Sequence, residues 1–299
     1  MARLSSEDRA FVAEAVAYLE HPRWLLRASD VVGQPAERLV QALPQRGQAL
    51  VQKAVQKSMQ TAMALALTSL AQAPEKTGTS KEIQAATFRH GMAHTVAAAA
   101  AGFAGGFFGL AGLPLELPVT TAIMLRSIAA IARDFGADLR DPAVQLECLQ
   151  VLALGGKMPA PIDVELEGQT TGFSPTESAY YTTRLGLSMA LRSAAAYVGG
   201  RTAADVAETL ARGSAPALLR VATLIGARFG IVVSEKTLAQ AVPLVGAGAG
   251  AALNAAFTEH FNTVARLHFG LRRLERAHGE AAVRLAYGEA LAQGQKSPA

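Results

Sequence analysis

"AGFAGGFFGLAGLPLELPVTTAIMLRSIAAIARDFG", residues 101–136, is the stretch whose reading decides the fold. No residue from Gly91 to Leu115 carries a formal charge, and the first acid after that run is Glu116. Beyond it the spacing predicts a helix that opens near Pro118, with Thr120, Met124, Ile128, Ile131 and Phe135 as its apolar stripe. Arg126 and Arg133 share the opposite side. A second uncharged run, Thr237 to Thr258, contains "PLVGAGAGAALNAAF". Both runs reach the ~20 residues that cross a bilayer. Both are mostly alanine and glycine, which supply much less transfer free energy than leucine or phenylalanine, so the expectation is no spanning helix.

Working outward, helical signals dominate. "SSEDRAFVAEAVAYL" opens with serine caps and acids, followed by Phe11, Ala15 and Leu19 at four-residue spacing. "QPAERLVQAL" starts on Pro35. From Gly47 to Leu70, residues Val51, Val55, Met59, Met63, Leu67 and Leu70 follow one face, with Lys53, Gln56, Lys57 and Gln60 away from it. The breaker cluster "APEKTGTSK", 73–81, separates this segment from the rest. "DPAVQLECLQVLAL" starts a helix at Asp141 and Pro142 and stops at Gly155 and Gly156. Residues 157–173 read as a polar loop, with further helices after Ser174, Thr202 and Ser214, a long one from about Gly246 to Ala277, and a short one from about Gly279. "IVV", 231–233, is the best strand signal and has no partner. The expected fold is all-α: a multi-helix globular bundle with a Gly/Ala-rich central helical hairpin. The expected organisation is an N-terminal helical segment over 1–75, a helical domain over 80–292 and a disordered tail over 293–299.

Composition narrows the function. Charged residues are 17% of the 299-residue chain and the net charge is +4, but acids and bases alternate, as in "RRLERAHGE" from Arg272, which speaks for an anionic surface as partner and against nucleic acid. Cys148 is the only cysteine, so no intrachain disulfide forms. Glu7, Asp8, Arg9 and Glu14 interrupt any secretory signal, giving a cytoplasmic expectation.

The glycines at Gly102 and Gly106, Gly105 and Gly109, and Gly246 and Gly250 have the spacing that lets helix backbones approach closely. One reading packs the two small-residue runs against each other. A second makes Phe103, Phe107, Phe108, Leu110 and Leu113 an apolar tip that contacts lipid or a partner, and a third buries the same side chains in the core. Glu116, between two leucines, requires a partner if buried, and Arg126 is the candidate. Asn254, Glu259 and His260 can add to a polar cluster. His90 and His94 have metal-compatible spacing but no third ligand nearby, "GAGAG" lacks the preceding strand of a dinucleotide site, and no nucleophile elbow occurs. No metal, cofactor or catalytic residue is expected.

"GLPLELPVTTAIMLRSIAAIARDFGADL" from Gly112, "LALGG" from Leu152, "AYYTTR" from Ala179, "RFGIVVSEKTLAQAVPLVGAGAGAALNAAFTEHF" from Arg228 and "ARLHFGLRRLER" from Ala265 together resemble the EcsC family of bacterial proteins. Glu116 stands where that family has an acid before Leu-Pro, and the N-terminal 75 residues lie outside the strongest resemblance. What the resemblance implies is a hydrophobic, membrane-associated protein near a transport or secretion process, with no catalytic motif to carry over. The resulting expectation is a non-catalytic protein, peripheral to the inner membrane on its cytoplasmic side, that binds lipid or a membrane protein. A helical enzyme built on Glu116 and a histidine, and a soluble oligomeric scaffold, are the alternatives.

Overall fold

The computed structural model describes residues 4–20, 45–70, 112–156, 178–240 and 247–296. Among them every element is helical: α1 Ser6–Leu19, α2 Gln45–Ser69, α3 Leu113–Asp134, α4 Pro142–Leu154, α5 Ala179–Val198, α6 Ala203–Ala211, α7 Pro216–Gln240, α8 Ala247–His278 and α9 Glu280–Lys296. The protein is an all-α globular fold.

Local chemistry sets the helix ends. Ser5 and Asp8 form a reciprocal capping box on α1, and Thr202 and Asp205 form another on α6. The Asp141 carboxylate accepts from Ala143 N at 2.8 Å, where Asp-Pro predicts a start. Gly279, with φ of +88°, turns the chain between α8 and α9 in a conformation that costs other residues a Cβ clash.

The expected apolar stripes are buried. Val51, Val55, Met59, Met63, Leu67 and Leu70 of α2 face the core, as do Thr120, Met124, Ile128, Ile131 and Phe135 along α3. Each fully enclosed aliphatic or aromatic side chain contributes roughly 1.5–3 kcal/mol. α2 packs on α3 and α7, and α3 packs on α8. α4 carries buried residues on every side and is enclosed by α2, α5, α7 and α8. The two ends of the described chain meet, since α1 packs on α8 and α9.

Two boundaries differ from expectation. α3 starts at Leu113, with Pro114 in its first turn, so Pro118 lies inside the helix. The early start is possible because only one ladder bond, Pro118 to the Pro114 carbonyl, is forfeited, near an end where bonds are few. The last helix is not short, and it continues to Lys296, so 293–296 are helical rather than a tail. The described helix of the 178–198 region is capped by Ser178, whose Oγ accepts from Tyr181 N. The readings at Pro35, 73–81, 157–173 and Ser174 lie outside the described residues.

Candidate functional site

Three helix ends meet at one pole of the bundle. Lys236 Nζ, near the end of α7, donates to Glu116 Oε1, in the first turn of α3, at 2.9 Å. Asn254 Nδ2, near the start of α8, donates to Thr120 Oγ1 at 3.4 Å, and Ser127 Oγ donates to Asn262 Oδ1 at 2.7 Å. The latter two contacts advance together along both helices, so α3 and α8 run parallel. The rings of Phe229 and Phe261 lie 5.7 Å apart, while Lys236 lies 5.1 Å above the Phe257 ring. α7 therefore runs back along α8.

The Glu116–Lys236 pair is shut off from water, with side chains 3% and 0% exposed. Burial pushes the Lys236 ammonium below its usual range, against the pull of Glu116. Taking both ions out of water costs several kcal/mol each, which their attraction and the Phe257 ring offset. The opposite side of the same turns looks outward: Leu115 is 70% exposed and Val119 53%. Alternation around one helix thus puts the charge inside and the hydrocarbon outside.

The structure divides the expected polar cluster. Glu116 turns to Lys236 of α7, while Asn254 is fully buried in the α3–α8 seam against Thr120. Arg126 and Glu259 are exposed. Arg126 is not the partner of Glu116, a correction with a simple cause: ten residues turn a helix by about 1000°, which sets the two side chains on different faces. His260 lies on another side of α8, its Nδ1 accepting from Tyr18 OH at 2.9 Å and its Nε2 meeting the Gly155 carbonyl at 2.6 Å. Both ring nitrogens are committed to structural bonds. Leu113, expected at an apolar contact surface, is 1% exposed and belongs to the core, because Leu115 and Val119 occupy the outer face. Phe103, Phe107, Phe108, Leu110, Gly102, Gly105, Gly106, Gly109 and Gly246 lie outside the described residues, as do His90 and His94. Gly250 lies in α8.

A second buried polar system went unread in the sequence. Tyr180 OH of α5 donates to His268 Nδ1 of α8 at 2.9 Å, and His268 Nε2 faces Glu147 Oε1 of α4 at 3.2 Å. Arg272 pairs with Glu147 at 2.6 Å and with Glu275 at 2.9 Å, and Arg184 holds Glu275 through two bonds of 2.6 and 2.7 Å. Two guanidinium groups balance two carboxylates, leaving no unmatched charge for a ligand. Burial alone would raise the Glu147 carboxyl, but His268 and Arg272 hold it at about 2. The signal was present in "AYYTTR" and "LHFGLRRLER", though not which residue meets which. Among the described residues, no three His, Cys, Asp or Glu side chains converge as metal ligands would.

A family model of the EcsC protein family matches residues 26–274. The chain belongs to the EcsC family. The match takes in α2 to α7 and most of α8, and with them both members of the Glu116–Lys236 pair. It reaches further toward the N-terminus than the resemblance did and leaves α1 and α9 outside. No curated protein and no solved structure matches the chain.

Proposed function

We propose that this EcsC-family chain is a non-catalytic, peripheral protein of the cytoplasmic face of the inner membrane, binding lipid through its apolar pole in support of transport or secretion. One observation carries the reading: Leu115 and Val119, four residues apart on the first turns of α3, stand exposed at 70% and 53%. Leu115 closes an uncharged run that begins at Gly91, and Val119 lies one turn beyond it. Side by side on one face of an otherwise well-buried helix, they form an apolar ridge of the kind that supports an interaction surface when it extends into a larger patch. Internal neutralisation of Glu116 by Lys236 supports the same reading, because a pole entering a low-dielectric layer is penalised for unpaired charge.

Insertion across the bilayer is not required. α3 and the Pro216–Ser234 part of α7 are long and apolar enough to span, but a core helix passes the same test, and most of α3 is buried against its neighbours. The enzyme reading finds less support, as Glu116 is bound to Lys236 and His260 to Tyr18 and Gly155.

Flotation with protein-free liposomes tests the proposal. Wild type should float, and a Leu115→Ser/Val119→Ser variant, altered only at exposed positions, should stay in the dense fraction while keeping its far-UV CD spectrum. Wild type remaining with the soluble fraction at every lipid composition would refute lipid binding. A shift of wild type to dimers in solution, abolished by the same variant, would replace it with the scaffold reading.

A further inference from the structure

Leu115, Val119, Ala122 and Arg126 recur at spacings of four, three and four, which places them on one face of α3. Leu115, Val119 and Arg126 are exposed and Ala122 is half-buried. Along this face the chemistry changes from hydrocarbon at the pole to a guanidinium further up. Among the described residues Arg126 makes no ion pair or hydrogen bond, whereas Arg184, Arg266 and Arg272 are all engaged with carboxylates.

We infer that Arg126 binds the phosphate of an anionic phospholipid headgroup when the pole enters the membrane, with α3 standing steeply to the bilayer plane. The inference rests on the proposed function and adds the orientation and the lipid class. At 1.5 Å per residue Arg126 lies about 10 Å above Val119 and about 16 Å above Leu115. Interfacial segments sink ~5–10 Å past the headgroup boundary, and the polar layer above the hydrocarbon is itself ~5–8 Å thick. Helical side chains lean toward the N-terminus, so the long arm of Arg126 reaches back toward the pole. With Leu115 and Val119 among acyl chains, its guanidinium falls at phosphate depth, where its planar fork can donate two bonds. A helix lying flat would instead put Arg126 at the same depth as Leu115, within hydrocarbon.

Binding of full-length wild type, Arg126→Gln, Leu115→Ser/Val119→Ser and Arg220→Gln should be measured on vesicles of pure phosphatidylcholine and of phosphatidylcholine with phosphatidylglycerol. Arg220 is an exposed arginine near the far end of α7 and controls for net charge. The expected result is weaker binding of Arg126→Gln to the anionic vesicles by on the order of fivefold, the effect of one basic residue at the surface. On uncharged vesicles Arg126→Gln should equal wild type, and Arg220→Gln should equal wild type on both. Equal binding of Arg126→Gln and wild type to anionic vesicles, or equal losses for Arg126→Gln and Arg220→Gln, would overturn the headgroup assignment and leave the proposed function standing if the Leu115/Val119 variant still loses binding. Failure of wild type on both vesicle types would overturn both. A nitroxide in the headgroup region should quench a fluorophore at residue 126 more than one at residue 115, and a mid-chain nitroxide the reverse; equal depths would refute the steep orientation.

Discussion

Lys236 Nζ lies 2.9 Å from Glu116 Oε1 inside the bundle, joining α7 to α3 across 120 residues of chain. Removing one member leaves the other as a lone buried ion. Lys236→Met alone should destabilise by ~3–5 kcal/mol, whereas Lys236→Met with Glu116→Met should recover most of that loss. Urea unfolding of the two single variants and the double variant closes the cycle, and additive losses would contradict the pairing.

Two glycines owe their identity to neighbouring rings. A Cβ on Gly155 would lie 2.5 Å from Phe261 Cε1 and 3.0 Å from His260 Nε2, and one on Gly270 would lie 2.2 Å from Phe11 Cζ. Phe261 is wholly enclosed, but Phe11 is half-buried and can swing outward. Gly155→Ala should therefore cost more than Gly270→Ala, ~2–3 kcal/mol against ~1 kcal/mol, on the scale of overpacked cores. Phe11→Ala should relieve the steric part of Gly270→Ala and leave Gly155→Ala unchanged, as judged by thermal midpoints.

Acid should loosen the fold in two stages. Burial holds His268 below its ordinary 6.5, so the unfolded chain takes up a proton the folded one refuses, and stability falls as pH drops below that value. Glu147, held at about 2 against an ordinary 4.5, adds a second loss between those values. Urea midpoints measured from neutral pH downward should decline through both windows. His268→Gln should flatten the upper one, and a His268→Gln variant with the same slope as wild type there would show that other groups govern it.

Cys148 is enclosed in α4, and burial pushes its thiol well above the usual range. Its alkylation by iodoacetamide at pH 8 should occur only through unfolding and accelerate in step with urea. Rapid labelling of the native protein would mean that α4 opens locally.

Much of the architecture was legible because it is periodic. The stripes on α2 and α3 repeat at helical spacing, and Asp141, Thr202 and Gly279 mark ends through chemistry that acts within a few residues. Glu116 was legible as an acid that needs a partner if buried, since its neighbours are leucines. Lys236 was not, because nothing in a local pattern says which cation returns from 120 residues away. Leu113, expected at the contact surface, lies in the core and Leu115 outside it for a related reason: where nearly every residue is apolar, periodicity cannot tell which face meets the core. His260 and Asn254, six residues apart, point to different sides of α8 and serve different neighbours.

Glu20 accepts bonds from Ala179 N at 2.8 Å and from Tyr287 OH at 2.8 Å, so α1 is secured partly by a residue 267 positions later in the chain. At ribosomal speeds of 5–20 residues per second, α1 waits roughly 15–50 s for that hydroxyl to be made. Until then Glu20 lacks that donor and α1 lacks the packing of α9. A nascent chain halted before Tyr287 can thus already seat α1 on α8 through Tyr18 and His260, and what it still lacks is the clasp that α9 closes over the first helix.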